Sequence, residues 1–164
     1  MVTATADVTR ARALAEAVPD PEVPVLTIGD LGVLRDVTAD ETGRIEVVLT
    51  PTYSGCPAME TIREDVETCL RDNGFWSVNV RMVLSPAWTT DWMSEAGRRK
   101  LAEYGIVPPT GRRAVGPVAL TLAVRCPQCG SADTRELSRF GSTACKSLWQ
   151  CRSCKEPFDH FKAI

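Results

Sequence analysis

The stretch "LTPTYSGCPAME", residues 49–60, joins two kinds of structure. Before it, Ile45, Val47 and Leu49 alternate as one face of a strand. After it, over about 57–73, Met59, Ile62, Val66 and Cys69/Leu70 recur at steps of three and four, the stripe of a buried helix face. Ser54-Gly55 makes a tight turn between them. Pro57 suits a first helical position, where a missing N–H breaks no bond. Asn73-Gly74 supplies the stop, since either residue accepts a left-handed cap. A third segment, 76–84, alternates with Trp76, Val78, Val80, Met82 and Leu84 on one side. Strand, helix and strand with short joints predict a right-handed βαβ unit, the helix lying on a sheet.

Upstream, strands are expected at about 33–38 and 44–50, turned by "ADETG" (39–43). Val8, Ala11, Leu14, Ala15 and Val18 mark a helix over 8–18, which the prolines of "PDPEVP" (19–24) must end. Residues 25–32, "VLTIGDLG", form a turn-rich segment closed by Gly32. Downstream, a helix is expected at about 90–104. "VPPTGRRAVGP" (107–117), with three prolines and two glycines, reads as a linker. "ALTLAVRCPQCG" then reads as a strand running into a cysteine knuckle. The expected organisation is an α/β domain over 1–106, a linker over 107–119 and a small module over 120–164.

No apolar run in the 164 residues approaches the roughly 20 that a membrane span needs. The N-terminus lacks an apolar signal core, so a cytoplasmic protein with no membrane partner is expected. Charge is uneven. Residues 1–110 hold 10 Lys/Arg and 17 Asp/Glu, a net of −7, and residues 111–164 hold 9 and 4, a net of +5, giving the chain's −2. An acidic front and a basic tail fit two mutually attracting units or a face for an acidic partner; ordinary solvated surface fits equally.

Seven cysteines, an odd number, in an expected cytoplasmic setting point to metal and thiol chemistry rather than a disulfide framework. Cys126-Pro-Gln-Cys129 and Cys151-Arg-Ser-Cys154 are two C-x2-C knuckles. Each offers two thiolates from one turn, and together they complete a tetrahedral S4 cage suited to structural zinc; a single iron fits the same cage. Gly130 is expected to relieve crowding behind the first knuckle. Cys145 reads as packing, and His160, the only histidine, as a surface or half-buried residue. Phe140, Trp149, Phe158 and Phe161 interleave with basic residues, a pattern shared by nucleic-acid surfaces and small aromatic cores. In a ribbon this small the core reading is preferred, and no nucleic-acid partner is expected.

Cys56 is expected just before the first helical turn, with amide N–H groups aimed at its sulfur. That setting favours the thiolate. Gly55 leaves room for close approach, Thr52 and its neighbours bring hydroxyls, and Asp30 of the "DLG" turn is a candidate to face the thiol. A protease would need a histidine base, which the 1–106 domain lacks. On local chemistry alone, a reactive thiol or metal ligand and a buried small hydrophobe remain open.

"DPEVPVLTIGDLGVLRDV" followed by "VVLTPTYSGCPAMETI" resembles the MIP18 (DUF59) family of iron–sulfur assembly factors, over roughly residues 10–86. The resemblance implies an α+β two-layer domain that helps clusters reach target proteins, with Cys56 as the key thiol and Asp30 nearby. A lone cysteine would hold a cluster only in passing, completed by a homodimer, a partner's thiols or a small thiol. With the segment "PAWTTDWMSEAGRRKLAEYGI" and the tail "CPQCGS…FGSTACKSLWQC…CKEPFDHFKAI" added, the whole chain resembles the phenylacetate-degradation PaaD/PaaJ family. That implies a non-catalytic accessory of the multicomponent phenylacetyl-CoA epoxidase, a ring oxygenase with oxygenase and reductase subunits as partners. Iron–sulfur or iron-centre maturation is the implied task. A structural subunit is the alternative.

Overall fold

The computed structural model describes residues 2–110 and 124–164. The chain divides into two compact units, Met1–Gly97 and Arg98–Ile164.

In the first unit, α1 (Val2–Glu16) leads through the proline-rich loop to a one-turn helix, α2 (Ile28–Leu31). Then come β1 (Leu34–Ala39), β2 (Ile45–Leu49), α3 (Ala58–Asp72) and β3 (Val78–Met82). The sheet order is β1-β2-β3, with β1 antiparallel and β3 parallel to β2. The βαβ unit expected around residue 56 is therefore present. α1 packs on β1, α3 on β3, and the helices on each other, giving two layers. Their shared core includes Ala11, Ala15, Val47, Leu49, Ile62, Val66 and Leu70, each at most 1% exposed.

Local chemistry explains the turns. Asp40 Oδ1 accepts from the backbone N–H groups of Thr42 and Arg44 and closes the β1–β2 hairpin, with Gly43 at φ 81°. Gly74, not Asn73, takes the left-handed position after α3, at φ 90°. Gly32 caps α2 at φ 72°, and a Cβ there would collide with the Trp92 backbone carbonyl. Gly32→Ala is therefore expected to destabilise this unit by about 3 kcal/mol or more, read by chemical denaturation.

Two expectations change here. The helix expected over 90–104 is broken into a 3-10 turn at Thr90–Trp92 and α4 (Glu95–Glu103). Two hydroxyls split it: Thr89 accepts from Asp91 N–H and Ser94 from Gly97 N–H, so each starts its own turn. The alternating face of 76–84 is not uniformly buried. Val80 is 8% exposed, whereas Trp76 is 89% and Leu84 67% exposed.

In the second unit, β4 (Thr134–Ser138), β5 (Lys146–Cys151) and β6 (Pro157–Phe161) form an antiparallel sheet in that order. Val107 adds a bridge on β6: its N–H donates to Asp159 O, and Phe161 N–H to Val107 O, both at 2.9 Å. Most of the expected linker and of the strand expected before the first knuckle lies outside the described residues. Val124 and Arg125, its described end, are irregular.

Candidate functional sites: a thiol at a strand–helix seam and a four-cysteine cage

The exit from β2 is pinned on both sides. Thr50 N–H donates to Val33 O (2.9 Å), and Thr50 Oγ1 to Val83 O (2.7 Å). This holds the loop after β2 at the carboxyl ends of two parallel strands, where open α/β sheets form crevices. The loop then tightens: Cys56 N–H donates to Tyr53 O (3.3 Å), Gly55 takes φ 83°, and Met59 N–H donates to Cys56 O (3.4 Å). A Cβ on Gly55 would meet nothing within 4 Å, so the backbone angle alone requires glycine here. Pro57 is the N-cap and α3 begins at Ala58, one residue later than expected, within the usual play of helix ends.

Cys56 is half-buried. The sequence-based expectation for its ionisation is reversed. Burial pushes the thiol above its ordinary value of 9.0. The Ala58 N–H and the Tyr53 side chain pull the other way, but the charges of Glu22 and Asp20 add to burial. The free protein therefore holds Cys56 as a thiol near neutral pH. Iodoacetamide should modify it more slowly than an unhindered cysteine, with a rate still climbing above pH 9. Glu22→Gln should raise the rate at pH 8 about two- to fivefold, followed on the Cys56 peptide by mass spectrometry. An unchanged rate would show that Glu22 has no hold on the thiol.

Asp20 and Glu22 belong to "PDPEVP", read from the sequence as a helix terminator and as the start of a family motif, with no link to Cys56. Asp20 is 7% exposed. Burial raises its carboxyl despite N–H donation from Val23 (2.6 Å) and Glu22 (2.9 Å) to Oδ1. An acid between prolines beside a helix end was the available signal.

Asp30 has a structural job that the sequence did not show. It is the third residue of the α2 capping box: Oδ2 accepts from Thr27 N–H (3.0 Å) while Asp30 N–H donates to Thr27 Oγ1 (3.1 Å). Its Oδ1 accepts from Ser94 Oγ (3.1 Å) and its carbonyl from Ser94 N–H (2.9 Å). Asp30 thus ties α2 to the start of α4. Thr52 lies half-buried in the loop four residues before Cys56.

In the second unit, Cys126, Cys129, Cys151 and Cys154 come together. Their sulfurs all lie within 4.8 Å of one another, with Cys126–Cys154 and Cys129–Cys151 each at 3.6 Å. A tetrahedron with metal–sulfur bonds of about 2.3 Å has edges of about 3.8 Å, so this donor set fits zinc with small side-chain shifts. The knuckles match each other. Gly130 N–H donates to Cys126 O (2.9 Å) and Lys155 N–H to Cys151 O (3.1 Å), at φ 72° and 71°. Gly130 thus serves the left-handed turn, not the relief of crowding: nothing lies within 4 Å of a Cβ there.

N–H donation from Cys154, with help from Ser153, holds Cys151 at about 6. For Cys154, the Glu156 N–H pulls down, but burial and the sulfurs of Cys126, Cys151 and Cys129 outweigh it and push it up to about 12. Cys145 lies outside this group, buried, with its sulfur 3.0 Å from Thr143 Oγ1.

His160 is buried rather than surface-lying, at 8% exposure. Its Nδ1 meets Ser147 Oγ at 3.4 Å and its ring stands edge-on to Trp149. Its Nε2 has no hydrogen-bond partner among the described residues, and burial lowers its pKa. Phe158 and Phe161 are buried and Trp149 is packed against the ribbon core, as the core reading requires; Phe140 is 68% exposed, under Lys162. No helix among the described residues is long and apolar enough to cross a membrane.

Comparison with known proteins matches this two-part plan. A family model described as "Iron-sulfur cluster assembly protein" matches residues 10–83, and "PaaD zinc beta ribbon domain" matches residues 112–162. The chain is 51% identical over 152 residues to an Escherichia coli (strain K12) protein named "Putative 1,2-phenylacetyl-CoA epoxidase" and designated one of its subunits, covering 93% of this chain and 90% of that one. It is 35% identical over 83 residues to an Fe-S protein maturation auxiliary factor of Porphyromonas gingivalis (strain ATCC BAA-308 / W83), covering 50% of this chain and 78% of that one. The crystal structure of a DUF59 domain from Bacillus anthracis superposes with a TM-score of 0.57 at 33% identity, covering 61% of this chain and 95% of that one. A thiol at the strand–helix seam of a DUF59 domain, followed by a metal-binding four-cysteine ribbon, is the plan of the PaaD family, and the chain belongs to that family.

Proposed function

We propose that this protein is a cytoplasmic accessory of a phenylacetyl-CoA epoxidase system, acting in iron–sulfur cluster or iron-centre assembly for its reductase or oxygenase partners and catalysing no reaction itself. The observation that carries this is Cys56: a half-exposed thiol at the seam, in a segment that matches the cluster-assembly family. As a neutral thiol it resists oxidation at rest. It becomes a ligand only when iron displaces its proton: the S–H bond breaks, an Fe–S bond forms, and one proton leaves. That chemistry suits a brief grip rather than a resident cluster.

Asp30 supports this site by holding α2 and α4 in place, and Thr52 by its position in the Cys56 loop. Structural zinc in the four-cysteine cage keeps the ribbon folded, and the closed S4 set leaves no position for chemistry. In this reading residues 107–119 join the 1–106 domain to the 120–164 ribbon, with Val107 already paired to β6. The test is the iron content of the reductase partner, produced in cells that also make this protein or its Cys56→Ala form. A drop with Cys56→Ala supports the reading; equal content sinks it.

A second reading, a non-catalytic structural subunit of the oxygenase, draws on the word "subunit" in the name of the E. coli relative. Purification with the oxygenase in a fixed ratio, unaffected by Cys56→Ala, would favour it.

A further inference from the structure

Among the described residues, β3 is an edge of its sheet: β2 pairs with one side and no strand with the other. Ser77 C=O accepts from Ile45 N–H (2.9 Å) and Val83 N–H donates to Leu49 O (2.8 Å), so odd-numbered positions bond β2. By the two-residue period, Val78, Val80 and Met82 turn their N–H and C=O groups outward. The edge carries no proline, lysine or bulge of the kind that protects exposed strands. Large apolar side chains stand along it in solvent: Trp76 at 89%, Leu84 at 67% and Met82 at 38% exposure.

We propose that this edge is a homodimer interface, in which β3 pairs antiparallel with β3 of a second copy about a two-fold axis at Val80. Val80 then faces its own counterpart, Val78 faces Met82 of the second copy, and Trp76 faces Leu84. Each exposed apolar residue meets another, and the outward N–H and C=O groups of Val78, Val80 and Met82 all find partners. Apolar matching favours this register over an axis at Asn79, which would set Leu84 against Gly74, and charge disfavours the other neighbour. A two-fold axis at Arg81 would set two arginines against each other, which is unfavourable. With the axis at Val80, Arg81 faces Asn79 of the second copy, while Glu46 keeps both Arg81 (2.9 Å) and Asn79 (3.5 Å) of its own chain.

The layer above has the same symmetry. Cys69, with its sulfur 3.8 Å from Leu14 O, marks the flank of α3 that faces α1. Glu60, Arg63, Glu67 and Arg71 lie on the opposite flank by the 3.6-residue period. They form a ladder in which Arg63 bonds Glu60 and Glu67, and Arg71 bonds Glu67. Because α1 lies on β1 and α3 on β3, this flank overlooks the free edge. Acid–base–acid–base on one helix meets base–acid–base–acid on its two-fold copy. Such self-complementarity is what an isologous contact requires, and it identifies a second copy of this chain as the occupant.

Sedimentation equilibrium of the full, metal-loaded chain tests this. The wild type should be a dimer at about 100 μM, and Met82→Lys or Trp76→Ser should raise the dissociation constant about tenfold or more without changing the far-ultraviolet circular dichroism. Asn79 and Arg81 form a non-hydrogen-bonded pair across the axis, with Cα atoms about 4.5 Å apart, within disulfide reach. Oxidised Asn79→Cys/Arg81→Cys protein should therefore yield a crosslinked peptide joining position 79 to position 81 of the other chain. A wild-type monomer at about 100 μM overturns the proposal. So does a dimer indifferent to Met82→Lys and Trp76→Ser, or one that forms no 79–81 crosslink.

Discussion

Cys151→Ser should unfold the ribbon and leave the first unit standing. One core cluster of the ribbon is Val124, Cys126, Cys151 and Phe158, with Val107 and Trp149 packed against it. Two of those four core residues belong to the four-cysteine cage, and Cys151 is fully buried. A core this small supplies only a few kcal/mol, whereas structural zinc contributes an apparent 10–16 kcal/mol or so in comparable sites. Removing one ligand therefore removes more than the ribbon's own packing can replace. Metal analysis should fall from about one zinc per chain to none. Hydrogen exchange should become fast across β4, β5 and β6 while β1, β2, β3 and α3 stay protected. Strong chelation of the wild type should reproduce the pattern. Protection surviving in the metal-free ribbon would mean that its aromatic core suffices.

Cys56→Ala should do the reverse: spare the fold and abolish the proposed assembly role. Cys56 is half-exposed, and alanine keeps its Cβ, so stability should change by less than about 1 kcal/mol and ribbon zinc not at all. Iron in the reductase proposed as its partner, by contrast, should drop markedly, because the thiol proposed to carry it is gone. Turnover of the oxygenase system it is proposed to serve should fall with it. Because folding and ribbon metal serve as internal controls, lost iron in this variant cannot be attributed to a damaged protein.

Much of this was legible in the sequence, for physical reasons that differ by element. The C-x2-C knuckles were readable because metal chemistry fixes their spacing, and their four sulfurs do converge. The βαβ unit was readable because its periods change from two to three-and-four within a few residues of Cys56. The ionisation of Cys56 was not. Sequence places the helix start beside the sulfur but says nothing of burial or of charges brought near by folding, and those determine its direction. Asp30 was recognisable as special, yet its capping box and its bond to Ser94, 64 residues on, needed coordinates. Trp76 and Leu84 misled because alternation records which side a residue takes, not whether anything covers that side. His160 misled in the opposite sense: nothing local in "FDHFKAI" requires its burial against Ser147 and Trp149.

The most direct test of the account is anaerobic transfer of a 57Fe-labelled cluster. The wild-type chain is loaded from a cluster donor and mixed with the metal-free reductase proposed as its partner, and the Mössbauer signal of the acceptor is followed over time. The account predicts that the signal builds up in the reductase with the wild type and stays near the background rate with Cys56→Ala. Equal build-up with both proteins would contradict it.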